Sequence, residues 1–343
     1  MNHIGIITSG GDAPGTNAAL RAAARILLNA DARVTGIRHS WQGVLDGDVV
    51  SIDRDFIHGI IEEGGTVLKS SRTTLLTQKG DAKKIIAALR GQGMDGLIVI
   101  GGEGSHKGAL ALTDAGFPVV GIPKTIDNDL GGTDFTIGFQ TAVQTATAAI
   151  DNVRTHTESH DQVMVAEVMG RHAGWIAVYA GIASGADLIL IPERPWNVDE
   201  IREHLDQRHR VQKRAFSLII VAEGAIASQT SGKAVKDKRT DHLGRAYLGG
   251  VGEMLARELA RHTGYECRST NLGYILRGGS PTAQDRILAT RLGARAAELL
   301  LEGQSGVTVG IRGIDICTTH LGDAVAQLKL VPDELYGLAQ KFF

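Results

Sequence analysis

Two kinds of hydrophobic pattern alternate along this chain: short runs of consecutive apolar residues, and longer stretches in which apolar side chains recur every three or four positions. The first reads as a strand covered on both faces, the second as an amphipathic helix. His3–Thr8 is a run of the first kind. Gly10-Gly11-Asp12-Ala13-Pro14-Gly15 breaks it, and Leu20, Ala23, Ala24, Leu27 and Leu28 follow at helical spacing, with Thr16 or Asn17 as the expected N-cap. A helix around Ile85, Ile86 and Leu89 leads into apolar residues 97–100, then Gly101-Gly102-Glu103-Gly104-Ser105, then a helix through Leu110 and Leu112. Residues 119–122 form the next run, which ends in Pro123-Lys124-Thr125-Ile126-Asp127-Asn128-Asp129. After about Gly138 the pattern restarts, with strands at 163–168, 188–191 and 217–221 and helices at 173–182 and 198–207. Helices at 251–262 and 286–301, a strand at 307–311 and a short C-terminal helix complete it. Strands alternating with helices in this way predict α/β architecture: two doubly wound, mostly parallel-sheet domains.

Length agrees, because 343 residues is about twice the usual single-domain length. The expected division is 1–138, 139–276 and a C-terminal segment, 277–343, whose first part returns to the first domain and whose end packs on the second. A net charge of −2 supplies no global field for nucleic acid or an anionic membrane surface, so any anionic ligand must be held locally. Cys267 and Cys317 lack CxxC spacing and are expected to be buried thiols in a reducing cytoplasm. No basic and apolar leader and no run of 18 apolar residues is present, so a soluble, untargeted protein is expected. Lys233, Lys236, Lys238 and Arg239 fall in a polar stretch that reads as a solvated loop. Glycine is the outlier, at 44 residues, and calls for many tight loops.

Three of those loops sit where a parallel sheet binds ligands, beyond the C-terminal ends of strands. Gly10-Gly11-Asp12 and Gly101–Ser105 each follow a strand and open a helix, so backbone N–H groups and a helix dipole can face phosphate oxygens. Neither fits GxxxxGK[ST] or GxGxxG, which disfavours a P-loop ATPase and a Rossmann dehydrogenase. In the third loop Thr125, Asp127 and Asp129 offer a general base and a second carboxylate for metal or positioning; paired turn caps would use the same residues. Arg72, Arg171, Arg268 and Arg277, the last two flanking a strand-like Leu-Gly-Tyr-Ile-Leu, suit phosphate recognition.

Taken in order, Thr8–Gly15, Gly101–Ser105, Pro123–Asp129, Glu167-Val168-Met169-Gly170-Arg171, Ala222-Glu223-Gly224 and Arg277-Gly278-Gly279-Ser280-Pro281 resemble the phosphofructokinase A family nearly from end to end, especially its actinobacterial-type members. The resemblance implies a glycolytic, cytoplasmic enzyme: Mg²⁺-dependent transfer of a phosphoryl group from ATP to the 1-hydroxyl of fructose 6-phosphate, in the cleft between the two domains. It implies Asp127 as base, Asp129 as its assistant, Thr125 as holder of the phosphoryl group, and Arg72 and Arg171 as stabilisers of its charge. Gly11, Arg72, Thr73, Gly102, Glu103, Gly104 and Ser105 fall at donor positions, Glu103 standing where many members have a Mg²⁺-associated aspartate. Thr125, Asp127, Gln162, Met169, Gly170, Arg171, Glu223, Arg268, Tyr274 and Arg277 fall at acceptor positions. One arginine of such a site comes from a neighbouring subunit, which implies a homotetramer or a dimer, with small-molecule substrates and neither nucleic acid nor membrane as partner.

Three departures bear on these expectations. Pyrophosphate-using members commonly pair an aspartate at 104 with a lysine at 124, whereas this chain has Gly104 with Lys124. The absent aspartate leaves room for ATP; pyrophosphate is the alternative donor. Gln162 and Tyr274 stand where the family usually has arginine and histidine, so two charged partners of a sugar 6-phosphate are lost, at about 1.5–3 kcal/mol each. Another acceptor sugar, or a non-catalytic regulatory paralogue, is the corresponding alternative, although the intact Thr125, Asp127, Asp129, Arg72 and Arg171 argue against silence. Arg21, Arg25, Arg54 and Arg154 match an effector-binding set, though Arg21 and Arg25 equally suit a solvated helix face.

Overall fold

The structure is a computed structural model that describes residues 1–71, 75–76, 80–214, 216–227 and 249–343. Arg72, Thr73 and the basic stretch with Lys233, Lys236, Lys238 and Arg239 lie outside the described residues. The chain runs β1 (His3–Thr8), α1 (Thr16–Asn29), β2 (Arg33–Ile37), α2 (Ser40–Asp46), β3 (Val49–Ile52), α3 (Asp81–Gly91), β4 (Gly96–Gly101), α4 (Glu103–Asp114) and β5 (Val119–Pro123). It continues through α5 (Phe139–Ser159), β6 (Val163–Val168), α6 (Trp175–Ser184), β7 (Leu188–Leu190), α7 (Val198–Asp206), β8 (Ser217–Ala222), α8 (Val251–Thr263) and β9 (Cys267–Asn271). Last come α9 (Ala283–Leu301), β10 (Val307–Arg312), β11 (Asp315–His320), α10 (Leu321–Ala326) and α11 (Asp333–Gln340). Two compact units result, Met1–Thr141 with Arg277–Lys329 and Ala142–Leu276 with Leu330–Phe343.

The first unit holds a seven-stranded sheet in the order β11-β10-β5-β4-β1-β2-β3. Its pairs are parallel except for β2–β3 and β10–β11 at the two edges. Alternation along each strand sorts side chains to two cores. Ile4, Ile6, Ile98 and Ile100 pack with α1 and α9, whereas Ile7, Leu97 and Val99 pack with α2, α3 and α4. Apolar side chains on both faces are why these strands read as unbroken hydrophobic runs. The second unit is a four-stranded parallel sheet, β7-β8-β6-β9, with α7 and α8 on one face.

Several local expectations change. Helix α1 starts at Thr16 after Gly15, which takes the left-handed conformation (φ 95°) that favours glycine. Neither Thr16 nor Asn17 caps it: Thr16 Oγ1 donates to the Ala13 carbonyl, and buried Asn17 donates to the carbonyls of Glu63 and Gly64 while accepting from Val67 N–H. The strand-like Leu-Gly-Tyr-Ile-Leu is a 3₁₀ turn, Gly273–Arg277, because the strand precedes it as β9, whose polar sequence Cys-Arg-Ser-Thr-Asn carries no apolar signal. Cys267 and Cys317 are half-exposed rather than buried. Among the described residues no helix is long and apolar enough to cross a membrane.

Candidate active site

Sheet order explains why the glycine-rich loops meet. β1 lies between β2 and β4. The chain leaves β1 through α1 on one face of the sheet and leaves β4 through α4 on the other. The two strand ends therefore open a crevice, the usual ligand position in such a sheet. Ser9 N–H donates to the Ile100 carbonyl (2.9 Å), and Gly10 (φ 81°) lies so close to Ser105 that a Cβ there would be 3.4 Å from its Oγ. A Cβ on Gly101 would come within 2.3 Å of the Ser105 side chain, so only glycine fits. Gly102 precedes the first turn of α4 and faces Thr125, whose Cβ would be 3.5 Å from an added methyl. Gly11, Gly102, Glu103, Gly104, Ser105 and Thr125 are thus gathered around the N-terminus of α4, whose dipole favours an anion. Around Gly104 an added Cβ meets nothing within 4 Å.

Lys124 does not point into that space. It is 1% exposed, and its ammonium ion donates to the carbonyls of Ser9 (2.9 Å) and Gly11 (2.6 Å), tying the end of β5 to the first loop. Beside it, fully buried His106 of α4 donates from Nδ1 to Gly102 O (3.0 Å), which leaves Nε2 to accept from Thr308 Oγ1 (2.9 Å). Burial first, and the charge of Lys124 next, hold the imidazole pKa down at about 4. His106 is neutral at physiological pH and fixes the N-terminus of α4 to β10.

Burial alternates through the third loop: Lys124, Ile126, Asn128 and Leu130 are buried, whereas Thr125, Asp127 and Asp129 are partly open. Asp127 N–H donates to Thr125 Oγ1 (3.2 Å), whose hydroxyl lies 3.4 Å from Asp127 Oδ2. Asn128, fully buried at φ 50°, reverses the backbone between the two aspartates. Its Oδ1 accepts from Thr136 N–H (3.0 Å), and Thr136 Oγ1 donates to Thr125 O (2.6 Å). Burial, then the neighbouring charges of Asp127 and Glu103, raise the Asp129 pKa to about 7. Three carboxylates therefore share one region of negative potential, with Glu103 also paired to Lys107. Among the described residues no group of three or more His, Cys, Asp or Glu is arranged to hold a metal by itself. The charge set fits Mg²⁺ bound through one or two carboxylates together with substrate phosphates.

In the second unit Met169, Gly170 and Arg171 follow the C-terminal end of β6, and Glu223 follows β8 at the same end of the sheet. A Cβ on Gly224 would lie 2.1 Å from the Arg171 carbonyl, so the two loops touch. Glu167, 2% exposed, accepts from Gly250 N–H, Gly252 N–H and Asn271 Nδ2, and so anchors the starts of α8 and the 272–277 turn. Gln162 and Arg268 lie elsewhere: Gln162 is buried just before β6, and Arg268, opposite Met164, pairs with Glu266 (2.8 Å). At about 3.3 Å per residue, a six-residue strand separates them from Arg171 by roughly 20 Å. One chain therefore does not bring Gln162 and Arg268 together with Met169–Arg171 and Glu223. Tyr274, on the 3₁₀ turn, is 76% exposed. In the first unit Arg277 Nη1 donates to the Asp12 carbonyl (3.2 Å), beside the first glycine loop. The candidate effector arginines are partly committed, Arg54 to Asn29 Oδ1 and Arg154 to the Ser184 carbonyl. Two residues that sequence reasoning missed, His106 and Lys329, act through contacts 202 and 201 positions away along the chain, and no local motif marks them.

The chain has known relatives. The phosphofructokinase family profile matches residues 3–300. A pyrophosphate–fructose 6-phosphate 1-phosphotransferase from Amycolatopsis methanolica is 48% identical over 341 residues, covering 99% of both chains. An ATP-dependent 6-phosphofructokinase 3 from Streptomyces coelicolor is 42% identical over 338 residues, 98% of both. The crystal structure of Pichia pastoris phosphofructokinase in the T-state superposes with a TM-score of 0.84 at 30% identity over 99% of this chain, which spans 36% of that longer one. A crevice built on paired glycine loops and a Thr-x-Asp-x-Asp turn, in a chain that relatives match over almost its whole length, places the protein in the phosphofructokinase family, as a phosphotransferase acting on an alcohol.

Proposed function

We propose that this chain transfers the γ-phosphoryl group of ATP to the 1-hydroxyl of fructose 6-phosphate, yielding fructose 1,6-bisphosphate and ADP. Asp127 accepts the hydroxyl proton as the sugar oxygen bonds to phosphorus and the bond to the β-phosphate oxygen breaks. Thr125, hydrogen-bonded to Asp127, steadies the transferring group, and Arg72 and Arg171 balance its charge. Gly11, Gly102 and the first turn of α4 present backbone N–H groups to the donor's phosphates. Glu103, with Asp129 beside it, is the residue to hold Mg²⁺, which when bound neutralises phosphate charge. Met169, Glu223, Tyr274 and Arg277 bind the acceptor, together with Gln162 and Arg268 supplied by a neighbouring copy in a homo-oligomer.

The open space at Gly104 carries the choice of ATP. An aspartate there would set a negative side chain beside the donor phosphates, and none is present. Lys124 is committed to two backbone carbonyls, which removes one reason to expect pyrophosphate. Pyrophosphate remains the second reading because the Amycolatopsis relative bears that name. Purified protein assayed with fructose 6-phosphate and Mg²⁺ distinguishes them. A higher kcat/KM with ATP supports the proposal; turnover with pyrophosphate alone overturns it in favour of the second.

A further inference from the structure

We infer that Lys329 is a positioning residue for phosphoryl transfer: reaching back from the C-terminal segment, its ammonium ion fixes the turn that sets Asp127 and Asp129. This rests on the proposed roles of those two aspartates. Lys329 Nζ donates to Asn128 Oδ1 (3.1 Å), to the Thr133 carbonyl (2.9 Å) and to the Asp134 carbonyl (2.8 Å), three acceptors for the three protons of an ammonium group. Its backbone N–H donates to the Asp129 carbonyl (2.9 Å). One residue therefore grips the loop at Asn128, at Asp129 and at the 133–134 turn, and Asn128 lies 201 positions away along the chain.

Asn128 is the element that needs holding. Its left-handed backbone is uncommon for any residue with a Cβ, although asparagine tolerates it better than most. Its side-chain amide also donates to Asp134 O (3.2 Å), so Lys329 and Asn128 close one network around the 133–134 turn. That turn is stitched to β10 by Asp134 N–H to Ile311 O (2.8 Å) and Ile311 N–H to Thr133 Oγ1 (3.0 Å). The aspartates are thereby referenced to the rigid sheet rather than left on a free loop. Placing a charge here is costly, since burial pushes the lysine pKa down to about 8. A neutral donor would pin three oxygens at lower desolvation cost, but it would not set a positive charge against the carboxylates of Asp129 and Asp134, both of which act on Lys329 electrostatically.

The test compares kcat and KM for Lys329→Met, which keeps volume and removes the donor, for Lys329→Ala with added propylammonium, and for Asp127→Asn. The expected result is a kcat for Lys329→Met lower by roughly ten- to a hundred-fold, the scale of an ångström-level misplacement, with KM for donor and acceptor within about threefold. Propylammonium should restore kcat of Lys329→Ala saturably, whereas tetramethylammonium, which cannot donate, should not. Wild-type kcat in Lys329→Met overturns the inference. So does loss of activity that merely tracks loss of folded protein by circular dichroism, with no rescue of Lys329→Ala. Should Lys329→Met fail to fold, rescue of Lys329→Ala decides alone. Asp127→Asn separates the two levels: if it keeps its activity the proposed base is wrong, and if it is inactive while Lys329→Met is normal, only the positioning role fails.

Discussion

At position 127 the chain presents a half-exposed carboxylate, hydrogen-bonded to a threonine and held by a left-handed asparagine, and its removal should affect chemistry rather than folding. Asp127→Asn keeps the backbone N–H bond to Thr125 Oγ1, so kcat is expected to fall by about 10²–10⁴-fold with little change in Tm. A kcat within tenfold of wild type would place the base elsewhere. At position 104 the surroundings are open and the residue sits in an ordinary helical turn, so Gly104→Asp is expected to fold normally. It should depress kcat/KM for ATP by at least an order of magnitude through repulsion of the donor phosphates. Equal ATP turnover by that variant would remove the argument for ATP. Both residues were legible in the sequence because each belongs to a short motif whose chemistry depends on adjacent positions. Lys124 and Lys329 were not, because what a lysine does is set by the oxygens it reaches, here 113 and 201 residues away.

Among the elements, α4 carries most of the Gly101–Ser105 loop, and fully buried His106 is its fastening. The imidazole pKa of about 4 in the folded protein lies below the 6.5 of the unfolded chain, so between these values the unfolded state binds the extra proton. Stability present above pH 6.5 is therefore lost as pH falls toward 4, by at most about 3 kcal/mol for this group. Urea unfolding at pH 7.5 and 4.5 should show a larger loss for wild type than for His106→Asn, which cannot titrate. Parallel losses in the two proteins would mean that His106 does not contribute. The buried strands β1, β4, β5, β6 and β8 were readable because apolar residues cover both faces. The antiparallel edge strands β3 and β11 and the polar β9 were not, since an edge needs backbone partners more than apolar side chains.

On the scale of the whole molecule, the placement of Gln162 and Arg268 at the far end of β6 from Arg171 gives the proposed oligomer a functional reason. If both residues serve the acceptor, they serve it in another copy. Hybrid oligomers formed from Asp127→Asn and Arg268→Ala chains, each inactive alone, should then regain activity, because some sites receive an intact base and an intact arginine. No recovery in oligomers shown to contain both chains would exclude that arrangement. Periodicity in the sequence determined the α/β class, the strands of the core, the paired glycine loops and the Thr-x-Asp-x-Asp turn, because these arise from local sterics and from which faces are apolar. Only tertiary structure decided that β4 lies beside β1, that Lys124 turns inward, that Lys329 returns to Asn128, and that Gln162 and Arg268 part from Arg171. A hydrophobic pattern records that a side chain is buried; which distant strand, carbonyl or carboxylate it meets depends on the order of the strands in the folded sheet.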